Sequence, residues 1–169
     1  QVAYIKGIDS NFVKVNKASK KLFEGQWLRP STYQVVIGYG ISEKLSLGLF
    51  DVNNVLEVLA PKPGNGNFSS INPEDSFSKL DLVPVGIYAI SEELDSKYVF
   101  SDLGLAQELL LYKPGQISGI EIRTKPNANE AEVIEAVTKI CTNKVAVKTR
   151  AQLNATLYKM LNTENIAVY

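Results

Sequence analysis

Three carboxylates fall within one short stretch, S-E-E-L-D-S, at Glu92, Glu93 and Asp95. Paired carboxylates can supply the acid and the base of glycoside hydrolysis. The same residues are also turn chemistry, because Asp and Ser side chains bond to local backbone groups. No tryptophan lies nearby in sequence to stack on a sugar, and the turn reading is favoured. Gly38 and Gly40 (G-Y-G) follow an apolar run and precede a helical pattern, as in a dinucleotide-binding loop. The third glycine is missing, and Glu43 puts a carboxylate where a pyrophosphate would sit. G-N-G at 64–66 has neither the lysine nor the strand-to-helix setting of a phosphate loop. It reads as a flexible turn.

The chain holds no histidine and one cysteine, Cys141. Zinc and most redox metals draw on several His or Cys ligands, so the expectation is no metal site and no cofactor. Triads built on an imidazole base are excluded with them. Cys141 falls on the apolar stripe of a predicted helix, where a small buried hydrophobe is the simpler reading than a reactive thiol. No catalytic residue is assigned, and the chain is expected not to be an enzyme. Lys plus Arg and Asp plus Glu are 18 each, which argues against a nucleic-acid partner, since phosphate neutralisation needs a basic excess. The N-x-S/T patterns at Asn67 and Asn154 are at chance frequency, and the second falls within a predicted helix.

The 169 residues are enough for one ordinary domain or two small lobes, and 45% are hydrophobic, as in a folded chain. No apolar run approaches the ~20 residues that span a bilayer. The chain starts at Gln1 and its only methionine is Met160, so a segment of a longer reading frame is expected.

The elements follow from pattern. Residues 2–8 read as a strand closed by Gly7 and Asp9. A loop or short helix runs through Phe12, Val15, Leu22 and Phe23, with five lysines from Lys6 to Lys21 forming a solvated face. Tyr33–Ile37 is a strand; Ser42 is expected to cap a short helix with Ile41 and Leu45 on one face. Val55–Leu59 and Leu82–Ile90 are strands, and Pro84 places an edge or a bulge in the second. Tyr98–Phe100 is a short strand, and Ser101 or Asp102 caps a helix to about Tyr112. Ile117–Thr124 alternates as a strand, Asn127 or Asn129 caps a helix with stripe Val133, Ile134, Val137, Ile140 and Cys141, and Lys144–Lys148 is a last short strand. Thr149 opens a final helix with Leu153, Leu157, Met160 and Leu161 on one side. A β-α-β unit of this kind leaves one sheet edge open.

Residues 61–81 form the one long irregular region, with three prolines, two glycines and four serines. Loops longer than about 12–15 residues in compact domains are usually functional or disordered. This one carries Phe68, Ile71 and Phe77, and exposed aromatic groups on a protruding loop can anchor a protein partner. The bland alternative is that Phe68 and Phe77 fold back as a small satellite core.

Three blocks carry a family resemblance: V-V-I-G-Y-G-I-S-E-K-L-S-L at 35–47, V-P-V-G-I-Y-A-I-S-E-E-L-D-S-K-Y-V-F at 83–100, and L-G-L-A-Q-E-L-L at 103–110. In that order the chain resembles the extracytoplasmic domain of an ABC-transporter permease of the lipoprotein-releasing (LolC/LolE) and MacB/FtsX superfamily. G-I-D at 7–9, I-S-G-I-E-I-R at 117–123, N-A-N-E-A-E-V-I-E at 127–135 and L-N-A-T-L-Y-K-M-L-N-T-E at 153–164 extend it over about 160 residues.

The resemblance implies an α+β fold of two lobes: a β-rich inserted (sabre-like) lobe and part of a porter-like split β-α-β lobe. Residues 1–32 would be the end of the first porter half and a connector, and 33–112 the inserted lobe with its loop 61–81. Residues 113–148 would be the second porter half, and 149–169 an exit helix towards a membrane span. It implies the bacterial inner membrane, with this segment on the periplasmic face. Implied partners are a cytoplasmic ATPase subunit, a second permease copy, and a periplasmic lipoprotein carrier or other periplasmic protein. The carrier-engaging hairpin of the lipoprotein-releasing members corresponds to 61–81. An FtsX-like regulator of a cell-wall hydrolase and a MacB-like export permease remain alternatives within the resemblance.

Overall fold

The computed structural model describes residues 2–30, 32–63, 76–142, 145–153 and 155. Among these the chain is mixed α and β, with six strands in one mixed sheet and six helical segments, as the α+β class requires. Contacts divide it into two units, Gln1–Arg123 and Thr124–Tyr169.

In the first unit the sheet order is β1 (Tyr4–Ile8), β6 (Tyr98–Asp102), β3 (Gln34–Gly38), β5 (Phe77–Tyr88), β2 (Leu22–Gly25), and β4 (Leu56–Pro61) pairs with β5 beyond that path. β1 with β6 and β3 with β5 are parallel; the other pairs are antiparallel. Of the expected strand 2–8, Tyr4–Ile8 therefore shares a sheet with the strands of 33–112. The central strand explains itself. Val35, Val36 and Ile37 are each 0% exposed, a continuous β-branched run buried on both faces. Val35 and Ile37 enter one core with Ile41, Leu47, Leu56, Leu82, Ile87, Val99 and Leu105. Val36, one residue out of phase, enters the other with Phe12, Val85, Tyr88 and Phe100.

Pro84 resolves as a bulge in the sheet interior. Val35 pairs with Pro84 and Val36 with Gly86, so Val85 is the extra residue. The alternation flips there, which is why Leu82 and Ile87, an odd number apart, share a core. The carbonyls at the bulge are still used: Phe50 N–H donates to Pro84 at 2.8 Å and Gln26 N–H to Val85 at 2.8 Å.

Helix α2 (Tyr39–Leu45) begins three residues before the expected cap, directly from Gly38. Ser42 lies inside it, and its hydroxyl donates to the Leu47 carbonyl at 2.9 Å. Ile41 packs as expected and is joined by Leu47, after the helix, while Leu45 is exposed. α1 (Phe12–Val15), a 3-10 turn at Ala18–Lys21 and α3 (Glu92–Asp95) are short links. α4 (Leu103–Leu109) is capped by Asp102, which accepts from Gly104 N–H at 3.0 Å, and it stops before Tyr112 because Leu111 turns left-handed.

The expected strand 117–124 is not one. Its alternation is real, but no neighbouring strand covers either face among the described residues, and Ile120 and Ile122 are 74% and 57% exposed. A strand needs a ladder and a packed face, and a pattern alone supplies neither. Of Lys144–Lys148, the described residues 145–148 likewise lie outside any strand.

In the second unit, α5 (Glu130–Ile140) is capped by Asn129, which accepts from Ala131 N–H at 3.0 Å. Glu130 and Glu132 in the first turn and Lys139 in the last suit the helix dipole. Val133, Ile134, Val137 and Cys141 are half-buried, and Ile140 is 81% exposed. Thr149 and Gln152 cap reciprocally: Gln152 N–H donates to Thr149 Oγ1 at 3.2 Å and Thr149 N–H to Gln152 Oε1 at 2.9 Å. Of the apolar side expected there, Leu153 is exposed, and Leu157, Met160 and Leu161 lie outside the described residues.

Candidate partner-docking hairpin

The region expected to be irregular from residue 61 to 81 is ladder at both ends. β4 and β5 run antiparallel from Leu56↔Leu82 to Pro61↔Phe77, and Lys62 N–H donates to the Ser76 carbonyl at 2.9 Å. Proline and serine tolerate this placement: Pro61 is the last residue of an outer strand, and serine on a half-covered face leaves the ladder intact. The inner face of the hairpin carries Leu56, Val58 and Ala60 opposite Leu82, Leu80 and Ser78. Leu56 and Leu82 belong to the main core, and Val58 and Leu80 pack against it. The outer face carries Glu57, Leu59 and Pro61 opposite Asp81, Lys79 and Phe77, with Lys79 bridging diagonally to Glu57.

Of the three residues expected to contact a partner, Phe68 and Ile71 lie outside the described residues. Phe77 is half-buried, at the first rung of β5 opposite Pro61, on the outer face. Leu59, two residues before Pro61 on that face, is 54% exposed and is not among the three. The alternation L-E-V-L-A-P could have marked it, since every second residue faces outward.

The carboxylates of the S-E-E-L-D-S stretch separate. Ser91 caps α3, Glu92 is exposed, and Asp95 is buried with Ile90 N–H donating to its two oxygens at 2.9 and 3.1 Å. Asp95 thus closes the turn after β5. The G-Y-G glycines belong to the same piece of packing. A Cβ on Gly38 would lie 2.0 Å from the Asp95 carbonyl oxygen, and one on Gly40 would lie 2.5 Å from Ser96 Oγ. The backbone of α3 therefore occupies the space beside the α2 start where a phosphate loop would hold its ligand. Glu43 receives a hydrogen bond from Tyr39 hydroxyl at 2.9 Å, which raises the Tyr39 phenol above its ordinary range.

Beneath α3, Tyr88 hydroxyl reaches the Leu94 and Tyr98 carbonyls at 3.0 and 2.9 Å. Burial, then the charge of Asp95, then Tyr98 push this phenol well above the usual range. A ring pair on the open sheet edge has no sequence signal. Phe23, 64% exposed, meets Tyr39 edge-to-face at 5.6 Å because it is the bulged residue between Leu22↔Tyr88 and Glu24↔Ile87. Among the described residues no three His, Cys, Asp or Glu side chains cluster to hold a metal ion, and no helix is long and apolar enough to cross a membrane.

No family model matches the chain, and no curated protein matches it significantly.

Proposed function

We propose that the chain is the periplasmic domain of an ABC-transporter permease for lipoprotein release from the bacterial inner membrane, and that the β4–β5 hairpin docks a periplasmic protein. The observation that carries the reading is the strand pair itself: β4 and β5 are paired out to Pro61 and Phe77 and anchored in the main core. A partner-engaging element needs that combination of reach and rigid base. The ordered sequence blocks at 35–47, 83–100 and 103–110 support the family. On this reading 33–112 corresponds to the inserted sabre-like lobe, with β1 added to its sheet, and 113–148 to the second porter half, of which α5 is formed and the strands expected at 117–124 and 145–148 are not. The domain performs no catalysis; a cytoplasmic ATPase supplies the energy, and a second permease copy completes the transporter.

The test has two parts. In the parent reading frame, one apolar span upstream and three downstream are expected, with this domain digested by protease only after the outer membrane is opened. A frame without spans would overturn the reading. Phe68→Ser and Phe77→Ser together should then abolish capture of the lipoprotein carrier while the far- and near-UV dichroism is kept. Unchanged capture by the folded double variant removes the hairpin from the site.

A further inference from the structure

After α4 the chain turns back along the first unit as an extended segment held at two points. At the near end, Gln107 Nε2 donates to the Gln116 carbonyl at 2.7 Å and Lys113 N–H to Gln116 Oε1 at 3.0 Å. At the far end, Glu121 takes Lys6 Nζ of β1 on one oxygen and Asn16 Nδ2 on the other, the latter at 3.2 Å. Arg123 Nη1 donates to the Lys14 carbonyl in the last turn of α1 at 3.0 Å. Between these points Ile117, Ile120 and Ile122 are all exposed, so apolar burial holds none of it. The attachment is polar, exposed and lies at the border of the unit, which ends at Arg123.

We propose that residues 117–123 form a releasable strap, latched to β1 and α1 by Glu121 and Arg123. Exposed ion pairs contribute at most about 1 kcal/mol each, so the latched and released forms lie close in free energy. Latched, the chain leaves the first unit at Arg123. Released, it leaves at Gln116, and seven freed residues add roughly 23 Å of tether before Thr124. The latch also reaches the α1 corner: Asn16 Oδ1 accepts from Ala18 N–H at 2.9 Å while its Nδ2 donates to Glu121. Lys6 Nζ meanwhile stands 5.2 Å over the Phe12 ring, so the same cation serves strap and core. The inference is independent of the transport reading.

The experiment compares backbone order by NMR in the full chain and in its Glu121→Ala and Lys6→Met variants. In the unmodified chain, residues 117–123 should have order parameters near ~0.85, falling below about 0.6 in either variant while residues 34–38 hold theirs. Tryptic cleavage after Arg123 should speed up at least threefold, as about 0.7 kcal/mol of lost latch implies. The double variant should be no looser than Glu121→Ala alone, because that change already removes the Lys6 contact together with the Asn16 one. Sodium chloride at about 1 M should loosen the strap in the unmodified chain, which covers the case of a variant that does not fold. A strap already mobile in the unmodified chain, or ordered in both the variants and high salt, overturns the proposal. So does loosening that only tracks unfolding of the core.

Discussion

Gly38 and Gly40 meet different obstacles across the same gap, and the difference can be measured. The atom nearest a Cβ on Gly38 is a backbone carbonyl at 2.0 Å, whereas Gly40 faces a serine hydroxyl at 2.5 Å with backbone no closer than 3.3 Å. A side chain can turn away; the backbone of α3 cannot without moving Asp95. Gly38→Ala should therefore cost about 3 kcal/mol and Gly40→Ala nearer ~1 kcal/mol in a urea melt. Tyr88 gives a pH prediction. Its phenol is raised in the folded chain, so the unfolded chain loses its proton first. The stabilisation is complete below pH 10 and is lost as pH rises above it. Tyr88→Phe should be less stable at neutral pH by about 1 kcal/mol, since the one O–H shared between the Leu94 and Tyr98 carbonyls is lost, and flatter above pH 10. Glu121 behaves in the opposite sense. Burial opposes its ionisation, but the Lys6 and Asn16 contacts outweigh it and hold the carboxyl below its ordinary 4.5. Its contribution is present above 4.5 and fades as pH falls through the lower folded value, so strap order should persist at pH 5 and drop in more acid solution.

At the scale of elements, local signals were legible where a single residue decides. Asn129 and Asp102 cap the helices expected to follow them, and Pro84 marks a bulge. Asn129→Ala should cost α5 about 1 kcal/mol, read as lost helicity and faster amide exchange over 130–140. Signals failed where a neighbour decides. Ile120 and Ile122 alternate with Glu121 and Arg123 as a strand would, yet the polar members are engaged and the apolar ones are exposed. Pro61, expected to open the irregular region, is still paired, because its rung partner Phe77 begins β5 sooner than P-E-D-S-F-S would lead one to expect. The hairpin's outer face is balanced by the Lys79–Glu57 pair. Lys79→Glu would set three carboxylates there and should weaken the hairpin by about 1 kcal/mol, seen as faster exchange of the Val58 and Leu80 amides.

For the whole molecule, the candidate site was legible only in part. The aromatic content of 61–81 pointed to the hairpin, but the register that presents Leu59 and Phe77 together on one face depends on β5 being shared between β4 and the main sheet. No local pattern encodes that sharing. The division after Arg123 was not legible either, since the alternation of 117–124 read as a strand belonging with the residues that follow it, and the expected boundary lay between 112 and 113. A chain ending at Arg123 should unfold in one cooperative transition, with the Trp27 and Phe100 packing intact in its near-UV spectrum. A broad, non-cooperative melt would show that the sheet needs residues 124–169 for its stability.

β5 is twelve residues long, and its two halves have different neighbours: β4 for the first, β3 and β2 for the second. Mechanically it is a single beam. A pull or push on Phe77 travels roughly 40 Å along one strand to Tyr88. No loop intervenes to absorb it. The load is borne in shear by several ladder bonds at once, the geometry in which a sheet resists best, with the Pro84 bulge as the place where the beam would flex. The β4-paired end of β5 is thereby coupled to the centre of the fold.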